Sequence, residues 1–265
     1  MNHLIQLFSR FLSFFTNRYY REFIILFLRY GNSPRKNRGT IHFLSFTLDT
    51  SDIVSTLFQY KDIFVNENYR FSSNNQSPVI LDCGANVGVS CLYFKHIFPQ
   101  SKITAYEADP SVSKLLVNNL LRNDISDVTV VPKAIWVHEQ GITFGSDESD
   151  GGSIYNPINP ISIPTVRLRD ELLRHDHIDM LKIDIEGAET DVIVDCDDML
   201  QKTKCLFIEY HSLFEKDQRL DEILSVLRKN NFKYILKEVG TIASPFVALV
   251  KNSITFQINI YAVRS

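Results

Sequence analysis

The chain has 265 residues, 45% hydrophobic and 22% charged, with a formal net charge of −3: enough for one substantial α/β domain with an appendage. Its charge is uneven. Arg10, Arg18, Arg21, Arg29, Arg35, Lys36 and Arg38 face only Glu22 in residues 1–38, a net of +6, so the remainder carries −9. Such an acidic body argues against extended contact with a nucleic-acid backbone. Cys83, Cys91, Cys196 and Cys205 have neither CxxC spacing nor a metal-site pattern, and read as small buried hydrophobes in a reducing compartment.

Leu4, Leu7, Phe8, Phe11 and Phe15 recur at helical spacing, with Gln6, Ser9, Arg10, Ser13 and Asn17 on the other face. A second run, residues 19–30, holds six consecutive apolar residues between Arg21 and Arg29. Neither run approaches the ~20 apolar residues of a membrane span. Arg10 interrupts the apolar stretch and no small-residue cleavage site follows, which disfavours a secretory signal. Packing of this pair on its own domain or on a second subunit is the favoured reading, because aromatic stripes at helical spacing usually form core. A basic amphipathic helix resting on an anionic membrane is the alternative.

Residues 31–39 read as an exposed connector, 40–48 as a strand, and 51–59 as a short helix capped by Thr50 or Ser51. From residue 79 strands and helices alternate. Strands are expected at 79–82, 102–107, 128–135, 180–185 and 205–210. Helices are expected at 87–98, 111–122 (capped by Ser111), 170–175, 189–200 and 220–230. Residues 142–146 suggest a short hairpin arm ahead of the loop 147–164, and 232–238 with 256–263 a terminal antiparallel pair. Continuous apolar strands alternating with helices imply a mostly parallel sheet covered on both faces.

Ligands in such sheets gather at the carboxyl ends of the strands. The most informative stretch is Val79-Ile80-Leu81-Asp82-Cys83-Gly84-Ala85-Asn86-Val87-Gly88, an apolar strand ending in an acid and then small residues. A carboxylate there would repel a pyrophosphate, whereas it would hold the ammonium and hydroxyls of S-adenosylmethionine. Gly84 is expected to let the donor approach bare backbone, and Asn86 to tolerate a left-handed conformation. Glu107 closes the second strand, placed to accept hydrogen bonds from both ribose hydroxyls. Ala134, after the third, is small enough to face an adenine edge. Strand alternation through Leu181-Lys182-Ile183-Asp184-Ile185-Glu186-Gly187-Ala188-Glu189 would put Lys182, Asp184 and Glu186 on one face. Ionisable groups so placed are costly unless paired with each other or with a ligand. Glu189 reads as a favourable acid in a first helical turn. Glu209-Tyr210-His211 closes the fifth strand.

The strings Ile80–Gly88, Tyr106-Glu107-Ala108-Asp109-Pro110 and, above all, Leu181–Glu189 resemble the FkbM-type methyltransferase family, with lesser matches at Ala134-Ile135 and Phe207-Ile208-Glu209. The resemblance covers about residues 79–211. It implies a class I, Rossmann-like fold and an S-adenosylmethionine-dependent transferase acting mostly on hydroxyl oxygens of sugars, polyketides and related molecules. By position, Asp82, Gly84, Asn86, Gly88 and Glu107 would hold the donor. The expected organisation is a helical extension over 1–38, a strand-and-helix lead-in over 39–78, and the donor-binding domain over 79–265.

Methyl transfer to an alcohol needs alignment and removal of one proton. Asp184 or His211 is expected to take that proton, with Glu186 and Glu209 orienting the acceptor or tuning the base. Hard oxygen ligands at Asp184, Glu186 and Glu209 would also suit a divalent cation, but a metal-free site is favoured. The rivals are a non-catalytic or membrane-associated protein retaining the fold, and a nicotinamide oxidoreductase. The latter lacks its third glycine here. The expected partner is a small-molecule or glycan acceptor and not nucleic acid, with membrane contact or self-association assigned to residues 1–38. The expected location is cytoplasmic, the inner face of the membrane being the alternative.

Overall fold

In a computed structural model, residues 15–145, 160–212, 217–240, 244, 246–247 and 256–264 are described. The first amphipathic run and most of the 147–164 loop lie outside them. Helix α1 (Arg18–Tyr30) starts where the Asn17 side chain accepts the amides of Tyr19 and Tyr20. Phe23 and Leu26 are buried, and Tyr19, Tyr20, Ile24 and Tyr30 pack on the same core, so one face of this helix does bind its own domain.

The expected strand over 40–48 is instead a hairpin, β1 (Gly39–Phe43) and β2 (Phe46–Thr50). The chain reverses at Leu44, φ 52°, a left-handed turn with none of the glycine or asparagine that normally announces one. Helix α2 (Ile53–Tyr60) is capped by Asp52, not by Thr50 or Ser51: its carboxylate accepts the Ser55 amide and, from the connector, Arg35 and the Lys36 amide. It runs without a break into a π-helical turn, Lys61–Val65. Tyr60 stacks on Phe64 at 5.1 Å, and Phe64 meets Tyr93 edge-on at the same distance. This lead-in therefore shares one core with the main sheet.

That sheet has seven strands. In chain order they are β3 (Val79–Cys83), β4 (Lys102–Tyr106), β5 (Val128–Val131), β10 (Ile178–Ile183), β11 (Thr203–Ser212), β12 (Phe232–Val239) and β13 (Phe256–Arg264). Their spatial order is β12-β13-β11-β10-β3-β4-β5, parallel except that β13 lies antiparallel between β11 and β12. One face carries Ile80, Ile103, Ala105, Met180 and Phe207 under α1, α2, α3 (Val89–Ile97) and α4 (Pro110–Arg122). The other carries Leu81, Leu181, Ile183, Leu206 and Ile208 against α5 (Leu168–Leu173), α6 (Glu189–Cys196) and α7 (Leu220–Lys229). This is the class I Rossmann-like architecture expected.

Two local expectations change. The strand over 128–135 ends at Val131 because Pro132 cannot donate to the ladder; β6 (Ala134–Trp136) leaves the sheet to pair with β9 (Thr165–Arg167). Helix α4 is capped by Asp109, with Pro110 in its first turn, rather than by Ser111. The hairpin arm is real: β7 (Ile142–Gly145) pairs with β8 (Pro160–Ile163).

Candidate active site

Strands β3, β4, β10 and β11 bring their carboxyl ends to one edge, and the sheet order switches beside β3. A cavity of about 360 Å³ opens there, lined from those tips by Gly84, Asn86, Glu107, Lys182, Asp184, Glu186 and Glu209, and by Ala134. Of the residues expected to hold a donor, Gly84, Asn86, Glu107 and Ala134 line it, whereas Asp82 and Gly88 do not.

The β3 tip is built by backbone bonding. The amides of Gly84 and Ala85 both donate to the Tyr106 carbonyl, at 2.9 and 3.0 Å, tying the loop to β4. Asn86 adopts the expected left-handed backbone, φ 49°, and donates its amide to Glu107 Oε2 at 2.9 Å. The Asp109 amide donates to Glu107 Oε1 at the same distance, so Glu107 is fixed across the tips of two strands. Burial pushes its carboxyl up to about 7, against the pull of those two amides. Gly84, which lines the cavity, is also constrained from behind. At φ +83°, a Cβ on it would stand 1.8 Å from the Asp184 carbonyl oxygen, so the missing side chain makes room for the β10 tip. Gly88, φ +101°, starts α3, and its bare Cα accommodates Leu116 of α4.

Asp82 is fully buried one layer behind the cavity. Ser90 donates to its Oδ2 at 2.5 Å, while Oδ1 has no hydrogen bond and faces Lys182 Nζ at 3.4 Å. Lys182 Nζ donates to the Gly84 carbonyl at 2.5 Å and lies 3.5 Å from Asp184 Oδ2. Burial lowers the pKa of this ammonium, but the Asp184 and Asp82 carboxylates outweigh it and hold the pKa well above the usual lysine value. Asp82 thus acts through Ser90 and Lys182, both of which do line the cavity. Replacing Lys182 with Met would leave Asp82 buried and uncompensated. A loss of about 3–5 kcal/mol in urea unfolding is expected, and a loss below about 1 kcal/mol would contradict the pairing.

The opposite wall is acidic. Strand β10 ends at Ile183, so it is a turn rather than strand alternation that aims the next acids. Glu186 sits in a left-handed conformation, φ 58°. Glu189 is completely buried and accepts the amides of Ile185 and Gly187 at 3.1 and 3.0 Å, holding that turn together. It also meets His211 Nδ1 at 3.1 Å. The other ring nitrogen of His211 lies 3.6 Å from Glu186 and 4.0 Å from Glu209. Burial alone would lower the His211 pKa, yet Glu189, Glu186 and Asp184 carry it well above its usual value. His211 is buried and does not itself line the cavity, so it meets the site through Glu186 and Glu209. Burial, reinforced by Asp184, pushes the carboxyls of Glu186 and Glu209 up to about 8.

Asp184, Glu186 and His211 each offer a ligand atom within 4.8 Å of one another. Nδ1 of His211 already meets Glu189 at 3.1 Å, so only its other ring nitrogen faces Glu186 and this group. Several lining residues carried no sequence signal: Arg35 from the connector, Phe58 and Gln59 from α2, Tyr69 before β3, and Gln257 from β13. Each arrives through tertiary packing.

An open, doubly wound sheet with a cavity at its switch point is the frame of the class I methyltransferase fold. The chain belongs to the FkbM methyltransferase family: the family model "Methyltransferase FkbM domain" matches residues 82–234. It is 30% identical over 174 residues to the 2-O-methyltransferase NoeI of Sinorhizobium fredii, covering 57% of this chain and 71% of the relative. It is 28% identical over 187 residues to the methyltransferase sdnD of Sordaria araneosa, covering 55% and 70%. Among solved structures, the FkbM methyltransferase of Methylobacillus flagellatus aligns with a TM-score of 0.48 at 19% identity, over 72% of this chain and 44% of that one.

The methyl donor implied by this membership is S-adenosylmethionine, and the residues present fit it. A fixed carboxyl at Glu107 suits a ribose diol, and Ala134 and the acids Asp184, Glu186 and Glu209 line the same cavity.

Proposed function

We propose that the chain transfers a methyl group from S-adenosylmethionine to a hydroxyl oxygen of a sugar or related small-molecule acceptor. The observation that carries this reading is the meeting, in one cavity, of the Glu107 clamp and the Asp184–Glu186–Glu209 wall. The name of the related NoeI, a 2-O-methyltransferase, points the same way. The donor supplies an activated methyl group on a sulfonium centre. Glu107 accepts hydrogen bonds from the ribose hydroxyls, its position fixed by the Asn86 and Asp109 amides. Glu186 takes the acceptor's proton at a carboxylate oxygen, because its side chain is 38% exposed against 25% for Asp184 and 19% for Glu209. His211 stabilises the ionised form of Glu186, and Asp184 and Glu209 accept hydrogen bonds that orient the acceptor.

A radiolabelled-methyl assay over soluble glycans, lipid-linked saccharides and small hydroxylated metabolites tests the reaction. Methylation of amine or thiol acceptors alone would overturn the choice of oxygen, and methylation of carboxylates alone the choice of a hydroxyl. In calorimetry, Glu107→Ala is expected to weaken S-adenosylmethionine binding by ~10²-fold, two hydrogen bonds to a charged group at about 1.5 kcal/mol each. An unchanged affinity would place the ribose elsewhere. Methyl transfer from a sulfonium needs no Lewis acid, so turnover is expected to survive dialysis against EDTA; a loss restored by a divalent cation would show that Asp184, Glu186 and His211 hold a metal.

A further inference from the structure

Helix α1 is amphipathic twice over. Its inner face packs Tyr19, Phe23, Leu26 and Tyr30 on the core. The outer face, at spacings of three and four, carries Arg18, Arg21, Glu22, Ile25, Leu28 and Arg29, three cations against one acid. Solvent reaches 58% of Ile25, 81% of Leu28 and, on the flank, 44% of Phe27. A helix that only served its own core would carry polar residues there. Arg18 and Arg29 lie over the rings of Tyr19 and Tyr30, at 4.9 and 5.1 Å, a geometry that leaves both charges at the surface beside the apolar side chains. Residues 1–38 carry a net +6 against −9 for the rest of the chain.

We propose that the outer face of α1 docks the protein on an anionic lipid bilayer. Charge complementarity selects this occupant. Leu28 and Ile25 would enter the acyl boundary while Arg18, Arg21 and Arg29 meet the headgroups, the arrangement of interfacial helices. A second copy of the chain fits less well, since mating two such faces would bring arginine against arginine. Lys61 Nζ, just after α2, sits 5.8 Å from the Phe23 ring on α1 and 5.9 Å from the ring of Phe58, which lines the cavity. The docking helix and Phe58 of the cavity lining thus belong to one packed layer.

Flotation of the full chain with vesicles decides the matter. Vesicles of phosphatidylcholine with about 30% phosphatidylglycerol should carry the protein up the gradient, pure phosphatidylcholine much less, and rising salt should release it. The double variant Ile25→Asp/Leu28→Asp is expected to lower the partition coefficient at least tenfold, with unchanged melting and donor affinity. Arg18→Glu/Arg29→Glu should abolish the preference for anionic vesicles. Both variants alter exposed positions, and donor binding in calorimetry confirms that each is folded. No flotation of the wild type, or flotation untouched by either double variant, would overturn the proposal. So would a dimer in light scattering that Leu28→Asp dissociates.

Discussion

Replacing Glu186 with Gln is expected to lower kcat by ~10²-fold or more while donor affinity stays within about twofold. The substitution keeps shape and hydrogen-bonding capacity but removes the only function proposed for this side chain, accepting a proton. Its signature is in the pH profile. A carboxyl must be ionised before it can act as a base, and burial holds those of Glu186 and Glu209 protonated up to about 8. In the wild type, kcat/KM should therefore rise with pH and level off above about 8. The midpoint belongs to the interacting pair and not to one residue. In Glu186→Gln the residual rate should lose that dependence. Wild-type turnover in this variant, or an unchanged profile, would move the base to Asp184 or Glu209.

Gly84→Ala is expected to be nearly as damaging by a different route. The backbone there has φ +83°, and the new methyl would overlap the Asp184 carbonyl, 1.8 Å away. Strain and overpacking together should cost roughly 2–6 kcal/mol in urea unfolding. Relief requires the β3 and β10 tips to separate, breaking the bonds from Lys182 to Gly84 and from the Asp184 amide to Cys83. The donor loop and the acidic wall would shift together, so S-adenosylmethionine affinity and turnover should fall in parallel with stability. Gly240→Ala is the control: its φ is +82° but nothing lies within 4 Å, leaving backbone strain alone. Equal effects at the two positions would mean that the contact with Asp184 is unimportant.

The main sheet was legible because its strands are short apolar runs closed by acids and small residues, and Glu107 and Asn86 stand where that grammar put them. Asp82 shows the limit. Its residue type pointed to a charged partner, but strand alternation puts position 82 on the face of Ile80, toward α3, and its partner is Lys182. Gly84 was rightly singled out for a close approach, though the group that approaches comes from a strand about a hundred residues away in sequence. Glu186 was placed by strand periodicity that had already ended; a left-handed turn held by Glu189 aims it. The reversal at Leu44 was invisible because only the tertiary fold imposes a positive φ on leucine. The proton state of His211 depends on three carboxylates drawn from the β10 turn and from α6, and no local pattern encodes it.

A crystal structure with S-adenosylhomocysteine bound to the full chain tests the central claim most directly. The ribose hydroxyls should lie within hydrogen-bonding distance of Glu107, with the sulfur directed at the wall of Asp184, Glu186 and Glu209. A product molecule seated away from Glu107, or with its sulfur facing from that wall, would contradict both the assignment of the cavity and the choice of Glu186 as base.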